Sequence, residues 1–117
     1  MDKLNCGIDI VKVARITDEL VERILGIKEN EIYNSFLNKS RKKEFAAGRF
    51  AAKEAFVKAT NIKELDFKEI QFINDEAGRP IPDKTLLEKI DAAEMSVSIS
   101  HEREYAVAVV FILKGED

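Results

Sequence analysis

Cysteine is the first scarcity with consequences in this 117-residue chain, since a lone Cys6 allows neither an intrachain disulfide nor a cysteine-based zinc site. Histidine is equally scarce, with His101 alone, so transition-metal chemistry lacks ligands while carboxylates leave hard cations open. Tryptophan is absent, and five glycines and two prolines are too few for a collagen-like or low-complexity chain. The longest apolar run, Ala106 to Leu113, has eight residues. A bilayer-crossing helix needs roughly 20, so this run reads as a buried strand. Met1 to Cys6 shows no continuous apolar core and no cleavage pattern of a secretory signal. These absences predict a cytoplasmic protein that makes no use of a membrane.

What is present is an ordinary globular composition, 45% hydrophobic and 35% charged. It predicts one domain, 1–117, burying roughly 60 to 70% of its unfolded surface. The net charge of −3 is unevenly spread. Residues 39–58 hold seven cations against Glu44 and Glu54, a local +5, which leaves −8 on the other 97 residues. A basic segment on an acidic chain suits a local anionic partner and argues against general affinity for nucleic acid. A solvated helix face is the alternative meaning of the same charges.

Hydrophobic periodicity predicts an α+β chain. Leu4 to Val11 reads as a strand. Val13, Ile16, Leu20, Val21 and Ile24 then recur at helical spacing over 13–25, with Gly26 as a left-handed stop. A short helix over Glu31 to Leu37, capped by Asn30, precedes a long one over Arg41 to Thr60, capped by Ser40 and closed by Asn61. Phe67 to Ile73 reads as a strand, Asn74 to Pro80 as a turn, and Thr85 to Ala93 as a helix. Met95, Val97 and Ile99 alternate with serines, and a connection at His101 to Glu104 leads into Tyr105 to Leu113, which predicts a C-terminal hairpin.

Some residues sit where folding alone does not favour them. Asp9 lies between Ile8 and Ile10 in an apolar strand, where an ionised carboxylate is disfavoured unless something compensates it. It suits either a cap for the next helix or an oxygen ligand for a hard cation. At about 100° per residue along the long helix, Arg49 and Lys53 share one side, while Glu54 and Lys58 fall beside Ala47 and Ala51 on the other. Small residues let another backbone approach, so Glu54 and Lys58 belong at a packed contact; an i,i+4 ion pair is the alternative. His101 ends a strand, where loops present functional side chains. Arg41, Lys42 and Lys43 oppose the helix macrodipole in its first turn, which a binding role or simple solubility explains. Two carboxylates and several cations, without a glycine-rich phosphate loop, suggest phosphoryl-type chemistry but not its substrate.

Gly7-Ile8-Asp9-Ile10, Phe45-Ala46-Ala47-Gly48-Arg49-Phe50-Ala51-Ala52-Lys53-Glu54-Ala55-Phe56-Val57-Lys58-Ala59, Gly78-Arg79-Pro80 and Ser98-Ile99-Ser100-His101 together resemble holo-acyl-carrier-protein synthase, in order and spacing across nearly the whole chain. The resemblance implies the single-domain 4′-phosphopantetheinyl transferase fold, a small antiparallel sheet packed with a long central helix and shorter helices, assembled as a homotrimer with sites between protomers. It implies magnesium-dependent transfer of the 4′-phosphopantetheine arm of coenzyme A to a serine of apo acyl carrier protein, releasing 3′,5′-ADP, in support of fatty acid biosynthesis. On matching positions it implies Asp9 and Glu54 as magnesium ligands, Glu54 and Lys58 as catalytic, Arg49, Lys53 and His101 as coenzyme A contacts, and Arg15 as a carrier-protein contact. The chain departs from the family in the short, glycine-free Thr60 to Glu64 loop, at Gly26-Ile27-Lys28, where a Thr-containing helix start is common, and at Glu22, a position that can carry another basic residue. A transferase with another carrier, or a non-catalytic module for an acidic helical partner, are the competing readings.

Overall fold

The structure, a computed structural model, describes residues 3–92 and 94–115. Three antiparallel strands, β1 (Lys3–Lys12), β4 (Glu94–His101) and β5 (Tyr105–Lys114), form a sheet in the order β1-β5-β4. The C-terminal hairpin is therefore as expected, and the N-terminal strand joins its free side in register Gly7 to Val110 and Asp9 to Ala108. A second sheet is a small hairpin of β2 (Phe72–Asn74) and β3 (Pro80–Pro82) around the predicted turn. Four helices, α1 (Asp18–Ile24), α2 (Ile27–Ser35), α3 (Lys39–Thr60) and α4 (Lys84–Ile90), complete the α+β arrangement.

The 22-residue α3 crosses the inner face of the three-stranded sheet and is the centre of the core. Ala47, Ala51, Ala55 and Ala59 are buried there, as the alanine-paved face predicts. The approach is close enough to require Gly7. A Cβ at that position would overlap the Ala55 carbonyl oxygen and lie 2.7 Å from the Ala59 nitrogen. This contact sets the β1 residues flanking Gly7 directly against the last turns of α3.

Several local expectations are corrected. The helix expected over 13–25 is a 3₁₀ turn at Val13–Arg15 followed by α1, whose break is made by Thr17 accepting from the Leu20 amide. The apolar spacing survives because Val13, Ile16, Val21 and Ile24 are all buried. Gly26 is extended (φ −78°), not left-handed. It starts α2 and is glycine because a Cβ would overlap the Gln71 side chain and the Lys68 carbonyl. Asn30 therefore lies inside α2, donating to the Leu25 and Gly26 carbonyls, and Leu37 is fully exposed. Asn38, not Ser40, caps α3, whereas Asn61 closes it at φ 57° as expected. Phe67–Glu69 forms a 3₁₀ turn instead of a strand, because Asp66 and Glu69 bond reciprocally across it. Helix α4 ends at Ile90, followed by Asp91 at φ 52°; Ala93 falls outside the described residues.

Candidate functional site

The close packing of β1 on α3 brings Asp9, Glu54 and Lys58 together. Lys58 Nζ lies 3.1 Å from Asp9 Oδ1 and donates to the Ile8 carbonyl at 2.9 Å. Asp9 therefore caps no helix, since the turn after β1 has no side-chain cap, and among the described residues Lys58 pairs with Asp9 and not with Glu54. Glu54 is half-buried and, among the described residues, has no cation in salt-bridge contact. Burial first, and then the charge of Asp9, raise its carboxyl above the usual 4.5, against the opposing pull of Lys58 and Arg15.

Two neighbouring carboxylates, one already reluctant to ionise, suit a cation with a preference for oxygen. Among the described residues no third acidic, histidine or cysteine side chain joins them. That donor set fits magnesium, which accepts one or two protein carboxylates and takes its remaining ligands from water and phosphate. Lys58, more than half exposed, places an ammonium beside the pair where phosphate oxygens would lie. The field of Arg15, exposed on the 3₁₀ turn just after β1, also reaches Glu54.

The structure does not bring Arg49 and Lys53 to this cluster. Lys53 is wholly buried on the far side of α3, where Nζ donates to Glu29 Oε1 at 2.6 Å and to the Phe67 and Ile70 carbonyls. All three ammonium donors are thus used internally. Burial lowers the group from 10.5 to about 8 despite its pairing with Glu29. Arg49 donates Nε to the Phe72 carbonyl at 2.9 Å and Nη2 to Asn74 Oδ1 at 2.6 Å, and its Cζ lies 4.4 Å from the Phe45 ring centroid. Burial pulls it down to about 10, still charged at any working pH. Lys53 therefore has no donor left for the direct ligand contact expected from the motif, whereas Arg49 uses two of its five N–H groups in these bonds.

His101 lies on the opposite edge strand from Asp9, with β5 between them. Its Nδ1 is 2.8 Å from Glu44 Oε1, which orients the ring, and the side chain is exposed. Glu29 is a residue that sequence reasoning missed. It accepts from Lys53, from the Gly26 amide and from the Phe72 amide, yet its only local signal is its place at the third position of a helix whose start was misplaced. A groove of about 580 Å³ was also not foreseen. Leu20, Arg23 and Ile24 of α1, Phe50 of α3 and the Asp66-Phe67-Lys68 turn line it, and Arg15 lies 6.0 Å over the Phe50 ring at its side. No stretch of sequence announces it because its walls come from three separate segments.

Residues 5–110 match the 4′-phosphopantetheinyl transferase superfamily. Holo-acyl-carrier-protein synthases of Petrotoga mobilis and Bacillus velezensis are 43% and 47% identical to the chain, covering 92% and 91% of it and 93% and 92% of their own lengths. The crystal structure of the Bacillus anthracis synthase, described as a complex with coenzyme A (3′,5′-ADP), superposes with a TM-score of 0.83 at 39% identity, covering 95% of this chain and 96% of that one. The Helicobacter pylori synthase in complex with coenzyme A gives a TM-score of 0.75 at 32% identity, covering 92% and 98%.

Proposed function

Because the chain belongs to the 4′-phosphopantetheinyl transferase superfamily, we propose that it transfers the phosphopantetheine arm of coenzyme A to a serine of apo acyl carrier protein, with magnesium, in support of fatty acid biosynthesis. The observation that carries this is the Asp9, Glu54 and Lys58 cluster at the β1–α3 contact. In the reaction a serine oxygen bonds to the phosphorus that bears the pantetheine arm, the bridging P–O bond of the pyrophosphate breaks, and 3′,5′-ADP leaves as serine gives up its proton. Magnesium held by Asp9 and Glu54 would supply charge neutralisation for the phosphates. Lys58, anchored on the Ile8 carbonyl, holds a point charge toward the same oxygens and stabilises charge that grows in the transition state. Burial, and then the field of Asp9, raise the Glu54 carboxyl, so a cation between the two carboxylates would be stabilised by them and would stabilise their charged forms.

The outer face of the three-stranded sheet supports a homotrimer. Ile8 and Ile10 are 61% and 63% exposed and, by register, share that face with Val109 and Val107. Apolar strand faces of this kind are normally covered. A threefold ring is built from heterologous contacts, so His101 of one copy can reach the Asp9 edge of the next, which it cannot do within its own sheet. There His101 would meet the 3′-phosphate of coenzyme A. Substitution His101→Ala should then weaken coenzyme A more than dephospho-coenzyme A; equal loss on both removes this role. Arg15, beside the apolar groove, would dock the acidic carrier. Arg15→Glu should raise the carrier KM and reduce its salt dependence while sparing coenzyme A.

The deciding experiment is the intact mass of an apo acyl carrier protein after incubation with the chain and coenzyme A, with magnesium or with a chelator. A phosphopantetheine-sized increase confined to the magnesium sample is expected. A folded protein that modifies none of several carriers overturns the reading.

A further inference from the structure

Residues 39–58 carry seven cations and only two carboxylates, Glu44 and Glu54. Glu54 belongs to the Asp9 cluster; Glu44 has a partner of its own. At the edge of the sheet, Met95, Val97 and Ile99 of β4 pack inward on the core, and strand alternation puts His101 on that same side. Ile99 meets α3 at Gly48, where a Cβ would lie 2.8 Å from Ile99 Cγ2. Two residues onward along β4 cover about 6.8 Å, and one turn back along α3 covers about 5.4 Å. Those steps lead from Ile99 to His101 and from Gly48 to Glu44, so the close passage of helix and strand sets the two side chains against each other. Glu44 Oε1 and His101 Nδ1 are 2.8 Å apart.

The pair is unevenly buried. The Glu44 side chain is 16% exposed and the imidazole 43%, so the carboxylate is lodged in the protein while the ring reaches solvent. Among the described residues Glu44 makes no other side-chain hydrogen bond and no ion pair with the lysines and arginines of its own segment. Arg41, one turn earlier, lies over the Phe36 ring instead. The residue opposite His101 on β5 is Ala106, and the neighbouring Glu102 accepts from the Glu104 and Tyr105 amides. Glu44 is thus the anion that addresses the ring. A carboxylate oxygen at this distance accepts a hydrogen, because two lone pairs do not face each other. The proton of the neutral ring therefore sits on Nδ1 and the lone pair on Nε2. In that form Nε2 offers nothing to a phosphate oxygen. Donation to phosphate takes a second ring proton, which places Glu44 on one nitrogen and the phosphate on the other, both through charge-assisted bonds.

We propose that Glu44 is a positioning residue for recognition of a phosphate monoester by His101: by taking Nδ1–H it fixes the ring's orientation, and it admits only the doubly protonated imidazole to the 3′-phosphate of coenzyme A. Glu44 acts through the ring, since an anion has no direct use for a phosphate. This rests on the transferase reading above, in which His101 meets coenzyme A. The pairing lies within one chain and does not depend on assembly.

His101 is the only histidine, so isotopic nitrogen labelling of histidine reports a single ring by NMR. At a pH where the ring is neutral, the ligand-free protein should carry the proton on Nδ1, and Glu44→Ala should populate the Nε2–H form. With coenzyme A bound, both nitrogens should read as protonated. Calorimetry then compares coenzyme A with dephospho-coenzyme A. His101→Ala is expected to weaken coenzyme A about tenfold, Glu44→Ala about fivefold, and the double variant no more than His101→Ala alone, with dephospho-coenzyme A within about twofold throughout. Should Glu44→Ala fail to fold, Glu44→Gln, which keeps the shape without the charge, serves in the same cycle with about a threefold loss. A proton on Nε2 in the unsubstituted neutral ring, dephospho-coenzyme A weakened in step with coenzyme A, or a Glu44→Ala loss that persists on top of His101→Ala overturns the proposal. Absence of transfer by the unsubstituted protein overturns the transferase reading, while the ring and binding measurements still decide the role of Glu44.

Discussion

On one face of α3, Arg49 and Lys53 stand four residues apart, buried, with their donors committed to backbone carbonyls, Asn74 and Glu29. On the other, Glu54 and Lys58 also stand four residues apart. Lys58 reaches back to Asp9, and Glu54 has burial and a neighbouring anion raising its carboxyl. The two pairs have the same spacing on the same helix, one of two cations and the other of an anion and a cation. The difference is whether the fold has already supplied partners. A saturated pair builds structure; a pair left short of positive charge is prepared for a ligand.

Breaking the saturated face should cost the most. Lys53→Ala leaves Glu29 as an uncompensated buried charge and should destabilise the fold by about 3–5 kcal/mol in urea denaturation. Lys58→Ala should cost a few tenths of a kcal/mol, about the value of an exposed pair. If the two cost the same, the contrast between the faces fails.

The unsaturated face should fail in activity instead. Asp9→Asn or Glu54→Gln should lower magnesium-dependent transfer by about 100-fold while the protein stays folded, as read by single-turnover mass measurement and circular dichroism. Gly7→Val probes the contact that brings the two faces' helix onto β1. The added side chain meets the Ala55 carbonyl, so a loss of about 1–3 kcal/mol, with transfer falling through displacement of Asp9, is expected.

Acidity sharpens the comparison further. The raised Glu54 carboxyl takes up a proton more readily in the folded than in the unfolded chain. Its protonated form therefore contributes stability that is complete below 4.5 and is lost as pH rises through the raised folded value. In metal-free protein, unfolding scans should show this contribution disappearing over that window, and magnesium should restore stability above it. Glu54→Gln should remove this component of the pH response, read as the difference between the two proteins' scans, and raise the metal-free melting temperature by about 1–2 °C.

Much of this was legible in the chain. The strand with Asp9 out of place, the long helix with its alanine face and the serine-alternating hairpin strand all follow from periodicity that burial later enforces. The motif residues Asp9, Glu54 and Lys58 were recognisable as a group through family resemblance, and the structure places them together. What misled was capping and turn detail. Gly26 reads as a left-handed stop because glycine has that use, whereas its real constraint is the crowding of Gln71 and Lys68, more than 40 positions away. Arg49 and Lys53 read as ligand contacts because a charged residue in a motif carries no mark of whether it faces water.

By itself the sequence determined the α+β class, the register-defining alternation of the sheet and the set of residues capable of phosphoryl chemistry, because these depend on local period and residue type. Only the tertiary structure decided which charges were spent and which were available. That decision rests on Glu29 meeting Lys53 across 24 positions and Lys58 meeting Asp9 across 49. Desolvation and pairing energies are properties of such long-range neighbours, and no window of sequence contains both members.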